Sequence, residues 1–237
     1  MLHYYYMKKL ILSSWNVNGL RACYKKGALF EYLDQVAPDV LFLQEIKVME
    51  SDIPPELENP KGYYSVWNSA QRKGYSGVGL LTRQQPLDIF CGFGIEEFDA
   101  EGRVIGAEFE HSFMFGVYFP NGQMSDERLT YKLNFYEAFF EYLKSLESHG
   151  KPIFVSGDYN TAHREIDLAR PKENEGVSGF LPIERAWLDK VIEDYGYTDT
   201  FRQFNSNTDE YSWWTYRAGA RQRNVGWRID YVFANKL

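Results

Sequence analysis

The chain has 237 residues, 44% hydrophobic and 25% charged, a globular balance that excludes fibrous classes and wholesale disorder. With 33 acidic against 26 basic residues its net charge is −7, so a polyanionic partner must be met by a local basic patch and not by a global field. Two cysteines, Cys23 and Cys91, are too few for a stapled secreted scaffold and lack metal-ligand spacing, and no apolar run reaches membrane-spanning length; a reducing cytoplasm is the expected compartment.

In chain order, residues 1–8 are too short and polar for a signal peptide and are expected to be an overhang before a single domain over 9–237. An apolar run at 10–15 predicts a buried strand. At 28–36, Leu29, Phe30, Leu33 and Val36 share one helical face. Runs at 40–43 and 78–81 predict further strands, and 77–119 reads as hairpin-like, ending in the run 113–119. From Asp126 to Leu146 the residues Leu129, Leu133, Tyr136, Phe140 and Leu143 form a helical stripe with charges opposite. A strand at 153–155, a helix opened by Pro182 and running to about Tyr195, and a strand at 229–233 complete the pattern. Strands alternating with helices predict an α/β chain with two packed mixed sheets flanked by helices.

The ends of these strands carry the chemistry. The first runs into Asn16-Val17-Asn18-Gly19, the second into Gln44-Glu45, and 153–156 into Gly157-Asp158-Tyr159-Asn160. Asp and Asn at one strand end commonly cap a turn. Three such ends, with Asp230 inside the apolar run 229–233, point instead to a site, because a buried carboxylate needs a partner or a task. The set is oxygen-only, which suits Mg²⁺ or Mn²⁺ and disfavours structural zinc. A hard cation on one or two carboxylates equips a protein for attack of water on a phosphate ester. No Walker-type glycine loop is present, so hydrolysis fits better than nucleotide-driven chemistry.

A second stretch, 211–228, holds Arg217, Arg221, Arg223 and Arg228 and no acidic residue, with Tyr211, Trp213, Trp214, Tyr216 and Trp227 interleaved. Arginines neutralise phosphates and aromatic rings stack on bases or wall a sugar pocket. Trp213 and Trp227 also suit a core position, while the arginines are expected at the surface. Arg72-Lys73-Gly74-Tyr75 adds a smaller basic cluster on a loop.

Taken together, WNVNGLRA (15–22), LQEIK (43–47), KGYSGVG (73–79), YFPNG (118–122), GDYNTAHREIDLARPK (157–172) and NVGWRIDY (224–231) form an ordered set that resembles the exonuclease III family of AP endonucleases, within the endonuclease/exonuclease/phosphatase superfamily. The resemblance implies a four-layer α/β sandwich, DNase I-like. It also implies Mg²⁺-dependent hydrolysis of the phosphodiester 5′ to abasic sites in double-stranded DNA, with 3′→5′ exonuclease and 3′-phosphatase activity on 3′-end lesions. It makes Glu45 the main metal ligand with Asn18 close by. Asn16 and Asn160 then position phosphate and attacking water, Asp158 serves as base or orienting carboxylate, and Tyr118 and Asn121 meet the scissile phosphate. Asn174 resembles a phosphate contact, Trp213 and Trp227 line the pocket for the flipped sugar, and Tyr75 and Arg217 match groove-contacting positions, Arg217 as a wedge. His163 belongs to the supporting structure in this family. A monomer is expected.

One departure stands out. The family pattern closes on a Ser-Asp-His element whose histidine Asp230 orients, and the histidines here are His3, His111, His149 and His163. The expectation is a C-terminally incomplete chain, less active than one carrying that element, with damaged-DNA binding and little catalysis as the alternative. A lipid or inositol phosphatase is disfavoured by the aromatic–arginine stretch.

Overall fold

The computed structural model describes residues 9–235, so the overhang expected at 1–8 lies outside the described residues. Ten strands are β1 (Leu12–Asn16), β2 (Val40–Gln44), β3 (Tyr64–Asn68), β4 (Val78–Thr82), β5 (Asp88–Cys91), β6 (Val104–Glu108), β7 (Phe113–Tyr118), β8 (Ile153–Asp158), β9 (Tyr197–Asp199) and β10 (Asp230–Asn235). The α-helices are α1 (Leu20–Lys25), α2 (Ala28–Gln35), α3 (Glu96–Asp99), α4 (Asp126–Leu146), α5 (Pro171–Asn174), α6 (Pro182–Glu193) and α7 (Thr200–Phe204). The strands form a four-stranded sheet, order β1-β2-β4-β3, and a six-stranded sheet, order β5-β6-β7-β8-β10-β9.

The sheets pack face to face. Val40, Phe42, Val78 and Leu80 of the first meet Ile105, Ala107 and Met114 of the second in a shared apolar layer. Gly116 of β7 allows the close approach: a Cβ there would sit 2.2 Å from the Phe42 ring. Outside the first sheet, Leu20, Cys23, Leu29 and Leu33 of α1 and α2 cover Leu41, Leu43 and Leu81. Outside the second, α4 and α6 cover Phe113, Phe115 and Val117 with Phe135, Phe139, Phe140 and Leu188. Helices, sheet, sheet, helices make the four-layer sandwich. Both cysteines are free thiols, Cys23 buried and Cys91 exposed.

Several expectations are corrected. The α4 range is as expected, with Ser125 as N-cap accepting from the Arg128 N–H and Asp126 and Glu127 in the first turn. Its buried face, however, is Lys132, Phe135, Tyr136, Phe139, Phe140 and Leu143; Leu129 and Leu133 sit at its margin. The face turns because the aromatic layer over β7 and β8 takes the largest rings, and a fully buried lysine comes with it. On α2, Val36 is exposed and only Leu29 and Leu33 are buried. Residues 77–119 form no single hairpin unit: β4 belongs to the first sheet, while β5, β6 and β7 are an antiparallel meander in the second. Asp230 opens β10 and is not enclosed within it.

Strand register places the polar ends. Parallel pairing of β1 with β2 sets Asn16 beside Gln44, so Glu45 follows at the same edge. Parallel pairing of β7 with β8 sets Tyr118 opposite Asp158, and antiparallel pairing of β10 with β8 sets Asp230 opposite Asp158. Tyr118, Asp158 and Asp230 thus share one rung of the second sheet, facing the end of β1 and β2 in the first. Gly157 makes this rung possible: its φ is 150°, and a Cβ would lie 1.9 Å from the Val117 carbonyl oxygen.

Candidate active site

At the shared edge, Asn16 Nδ2 donates to Glu45 Oε1 at 2.7 Å and to Asp158 Oδ2 at 2.9 Å, joining carboxylates from the two sheets. Lys47 Nζ lies 2.6 Å from Glu45 Oε2 and donates to Asn18 Oδ1 at 2.6 Å. Asp158 Oδ1 accepts from the Asn160 N–H at 2.8 Å. Asn160 Nδ2 donates to the Phe119 carbonyl at 2.9 Å, and its Oδ1 accepts from Asn121 Nδ2 at 3.1 Å. Asn18, Glu45 and Asn160 all have left-handed backbones, φ 46°, 51° and 50°. Such conformations cost a residue with a Cβ about 1 kcal/mol or more, and three of them at one site mark a backbone bent to present side chains.

The electrostatics follow from three carboxylates sharing one pocket. Burial, then the charge of Asp230, pushes the Asp158 carboxyl well above its usual range. Burial pushes Asp230 up to about 6, with Glu45 adding to the rise and the Ser212 hydroxyl opposing it. Burial also works to raise Glu45, yet hydrogen bonds from Asn16 and Lys47 hold it below its ordinary value. The Tyr118 phenol is raised by burial and by the charges of Glu45 and Asp158, so it remains a protonated donor beside them. The Arg103 guanidinium lies 4.7 Å from the Tyr118 ring centroid, and its Nη1 donates to the Tyr118 carbonyl at 2.9 Å.

The donor set fits a hard divalent cation. It is all oxygen, its carboxylates repel one another, and the Lys47 ammonium already stands between Glu45 and Asn18 as a cation would. Among the described residues no three His, Cys, Asp or Glu side chains form a closed metal cage. An ion that keeps part of its water shell, held by one or two carboxylates, needs none.

Asn16, Asn18, Glu45, Asp158 and Asp230 open into a cavity of about 840 Å³, walled on the far side by Trp213, Trp214 and Arg221. Trp213 is half exposed there, and its backbone pairs with Trp227. Trp227 is half-buried and not among the residues lining the cavity; its ring packs with Phe180, Leu168 and Ile229. Arg217 is exposed and outside the cavity lining, where Arg221 stands in its place with its guanidinium 5.5 Å from the Trp214 ring centroid. Arg228, expected at the surface with the other arginines, is buried: Nε reaches Asp167 at 2.8 Å and Nη2 reaches Asp199 at 2.7 Å. Two buried carboxylates draw it inward and leave it no phosphate to meet.

The remaining expected residues lie apart from the cavity. Asn174 ends α5 and donates to the Arg170 carbonyl at 2.9 Å. Tyr75 sits on the loop between β3 and β4, its hydroxyl accepting from Arg103 Nη2 at 2.9 Å and its ring 5.3 Å from the Arg72 guanidinium. His163 is buried and pairs with Asp189 at 2.7 Å. Sequence reasoning passed over Lys47, Ser212 and Arg103, and named Trp214 only among the interleaved aromatics of 211–228. Lys47 stood inside a quoted motif, and only its neighbours in space reveal its place.

Residues 13–237 match the Endonuclease/Exonuclease/phosphatase family. The chain belongs to that family. It is 44% identical over 226 residues to the exodeoxyribonuclease of Bacillus subtilis, covering 95% of this chain and 88% of that protein. It is 42% identical over 225 residues to the DNA repair nuclease APEX1 of Danio rerio, covering 93% and 71%. Among solved structures it resembles a 3′-5′ exonuclease from Neisseria meningitidis (TM-score 0.88, 28% identity, 95% and 87% covered) and an AP endonuclease from Archaeoglobus fulgidus (TM-score 0.87, 28% identity, 96% and 87% covered). Within the family, then, the chain is a nuclease, of a kind that generally depends on metal. Among the described residues no helix is long and apolar enough to cross a membrane.

Proposed function

We propose that this nuclease hydrolyses the phosphodiester 5′ to abasic sites in duplex DNA with Mg²⁺ as cofactor (Mn²⁺ as substitute), and also acts as a 3′→5′ exonuclease and 3′-phosphatase. The observation that carries the reading is the Tyr118–Asp158–Asp230 rung tied through Asn16 to Glu45 at the mouth of a tryptophan-walled cavity. Glu45, with Asn18 beside it, would hold the ion. Bound there, Mg²⁺ supplies neutralisation of charge on the phosphoryl oxygens.

The chain's own groups do the rest. Asp158, made basic by burial and by Asp230, takes the proton of the water that attacks phosphorus. Asn16 fixes Asp158 against Glu45, and Tyr118 and Asn121 donate to non-bridging oxygens. The P–O3′ bond breaks and the departing 3′-oxygen takes up a proton from water, leaving a 3′-hydroxyl upstream and a 5′-phosphate on the abasic residue. Trp213 and Trp214 wall the space for the unstacked sugar, which costs little to extrude because it carries no base. Arg217, Arg221 and Tyr75 meet the DNA around it, and Asn174 a flanking phosphate. The same reading takes residues 9–237 as one catalytic domain acting as a monomer in the cytoplasm.

A second reading, damaged-DNA binding with little cleavage, draws on one observation: among the described residues no histidine approaches Asp230, whose neighbour is Ser212. Incubation of a labelled duplex carrying one abasic analogue with Mg²⁺ or with chelator separates the two. Mg²⁺-dependent incision supports the first reading; tight binding without incision supports the second.

A further inference from the structure

Three consecutive carbonyl groups in the turn after β8 are each held by a buried side chain. Tyr136 Oη donates to the Tyr159 carbonyl at 2.7 Å, Lys132 Nζ to the Asn160 carbonyl at 2.8 Å, and Tyr231 Oη to the Thr161 carbonyl at 2.8 Å. Lys132 and Tyr136 are one helical turn apart on α4, so a single helix face grips two of the three.

Lys132 is the unusual member. Its side chain is fully buried, and its other protons go to Thr161 Oγ1 at 2.7 Å and Glu184 Oε1 at 2.6 Å, which uses all three donors. Glu184 is equally buried. Its Oε2 accepts from the N–H groups of Gly179 at 2.5 Å and Leu181 at 3.1 Å, and its Oε1 also accepts from Ser178 Oγ at 3.2 Å. An interior ion pair of this kind is poor evidence for stability, since apolar residues of similar volume often replace one without loss.

What the pair holds is more telling. Asn160 is left-handed, with its N–H on Asp158 Oδ1 at 2.8 Å and its carbonyl on Lys132. Both ends of this strained residue are thus pinned, one to the site and one to the interior.

We propose that Lys132, with Glu184 as its counter-ion, is a positioning residue for phosphodiester cleavage: its ammonium fixes the Asn160 carbonyl and so holds the turn that presents Asp158 and Asn160 to the cavity. The inference rests on the nuclease reading above. Lys132 touches no substrate; it acts through the Asn160 peptide, and its charge stands behind the carboxylate that receives the proton.

Three variants test this. Lys132→Met removes the ammonium at similar volume, Lys132→Met with Glu184→Gln removes the stranded charge too, and Lys132→Arg keeps a cation. Each is measured for melting temperature, affinity for an abasic duplex in chelator, single-turnover incision in Mg²⁺, and the amide resonance of Asn160. Both Met variants are expected to bind within about two-fold of the parent yet incise about 100-fold more slowly, because misplacement of a reacting group costs rate and not affinity. Their Asn160 resonance should move, and Lys132→Arg should recover part of the rate. A folded double variant that incises at the parent rate overturns the proposal. So does failure of every Met variant to fold, which assigns Lys132 to stability alone. Should the parent bind but not cut, the nuclease reading fails, and the Asn160 resonance still decides: unmoved in the Met variants, it overturns the positioning role.

Discussion

Asn16 and Asp158, 142 residues apart, meet through a 2.9 Å hydrogen bond that spans the two sheets. The same carboxamide nitrogen reaches Glu45 at 2.7 Å, so one neutral group stands between two carboxylates that would otherwise repel. Asn16→Ala should therefore loosen both, and single-turnover incision of an abasic duplex should fall about 100-fold, the usual cost of losing one preorganised donor. Asn16→Asp should be worse, since it adds a further negative charge. An Ala variant cutting at the parent rate would remove Asn16 from the site.

Asp167 lies at the centre of a buried cluster, with Arg228 Nε at 2.8 Å and Arg202 Nη2 at 2.7 Å. Burial alone would raise its carboxyl, but Arg228 and then Arg202 hold it below its ordinary 3.8. A depressed carboxylate adds stability that is complete above the unfolded value and is lost as pH falls through the folded one. Asp167→Asn should destabilise the chain by about 3 kcal/mol at neutral pH, because Arg228 is left under-compensated in the interior. It should also flatten the acid limb of a urea-midpoint profile below pH 3.8.

His163 shifts in the same direction for a different reason. Burial lowers its pKa below the ordinary 6.5, against the pull of Asp189. The unfolded chain then binds the proton more readily, so stability is complete above 6.5 and declines as pH falls below it. His163→Gln should remove that decline from the urea midpoint between 6.5 and the folded value, and incision at neutral pH should stay within about two-fold. A large loss of incision in a fully folded variant would give His163 a catalytic task.

Arg217 and Arg221 are separable. Arg217 is exposed beyond the cavity, and Arg221 lines it over Trp214. Replacing either with Ala should weaken abasic-duplex binding and reduce the salt slope of log K by about 1, as a lost phosphate contact requires. Only Arg221→Ala should also slow incision at saturating DNA, by loosening the Trp214 wall. Unchanged affinity in Arg217→Ala would sink its role as a DNA contact.

The sequence exposes what burial and local pattern dictate. β2, β4, β7 and β8 are legible because each crosses a buried layer as a largely apolar run. By contrast β1, an edge strand with Leu10 and Ile11 exposed just before it, and β10 are only partly buried and are read from shorter apolar stretches. β3 and β5 are edge strands with exposed residues such as Tyr64, β6 is interrupted by Gly106, and β9 is three residues long, so none offers a period to read. The polar strand ends name Asn16, Glu45, Asp158 and Asp230. That Asp158 and Asp230 share a rung with Tyr118 depends on long-range register, which no local signal encodes. Lys132 looks like a solvent-facing lysine in sequence; only Glu184, from a helix 52 residues on, explains its burial. Arg228 misleads for the same reason, its two aspartates being distant in the chain.

The most direct test of the account is end-group analysis of an abasic duplex after incubation with the parent chain and with Glu45→Gln, across a Mg²⁺ titration. The parent should give a single Mg²⁺-dependent cut 5′ to the lesion with a 3′-hydroxyl, and Glu45→Gln should lose most of that rate and require far more Mg²⁺. Cleavage by both proteins with the same Mg²⁺ dependence, or a cut on the 3′ side of the lesion, would contradict it.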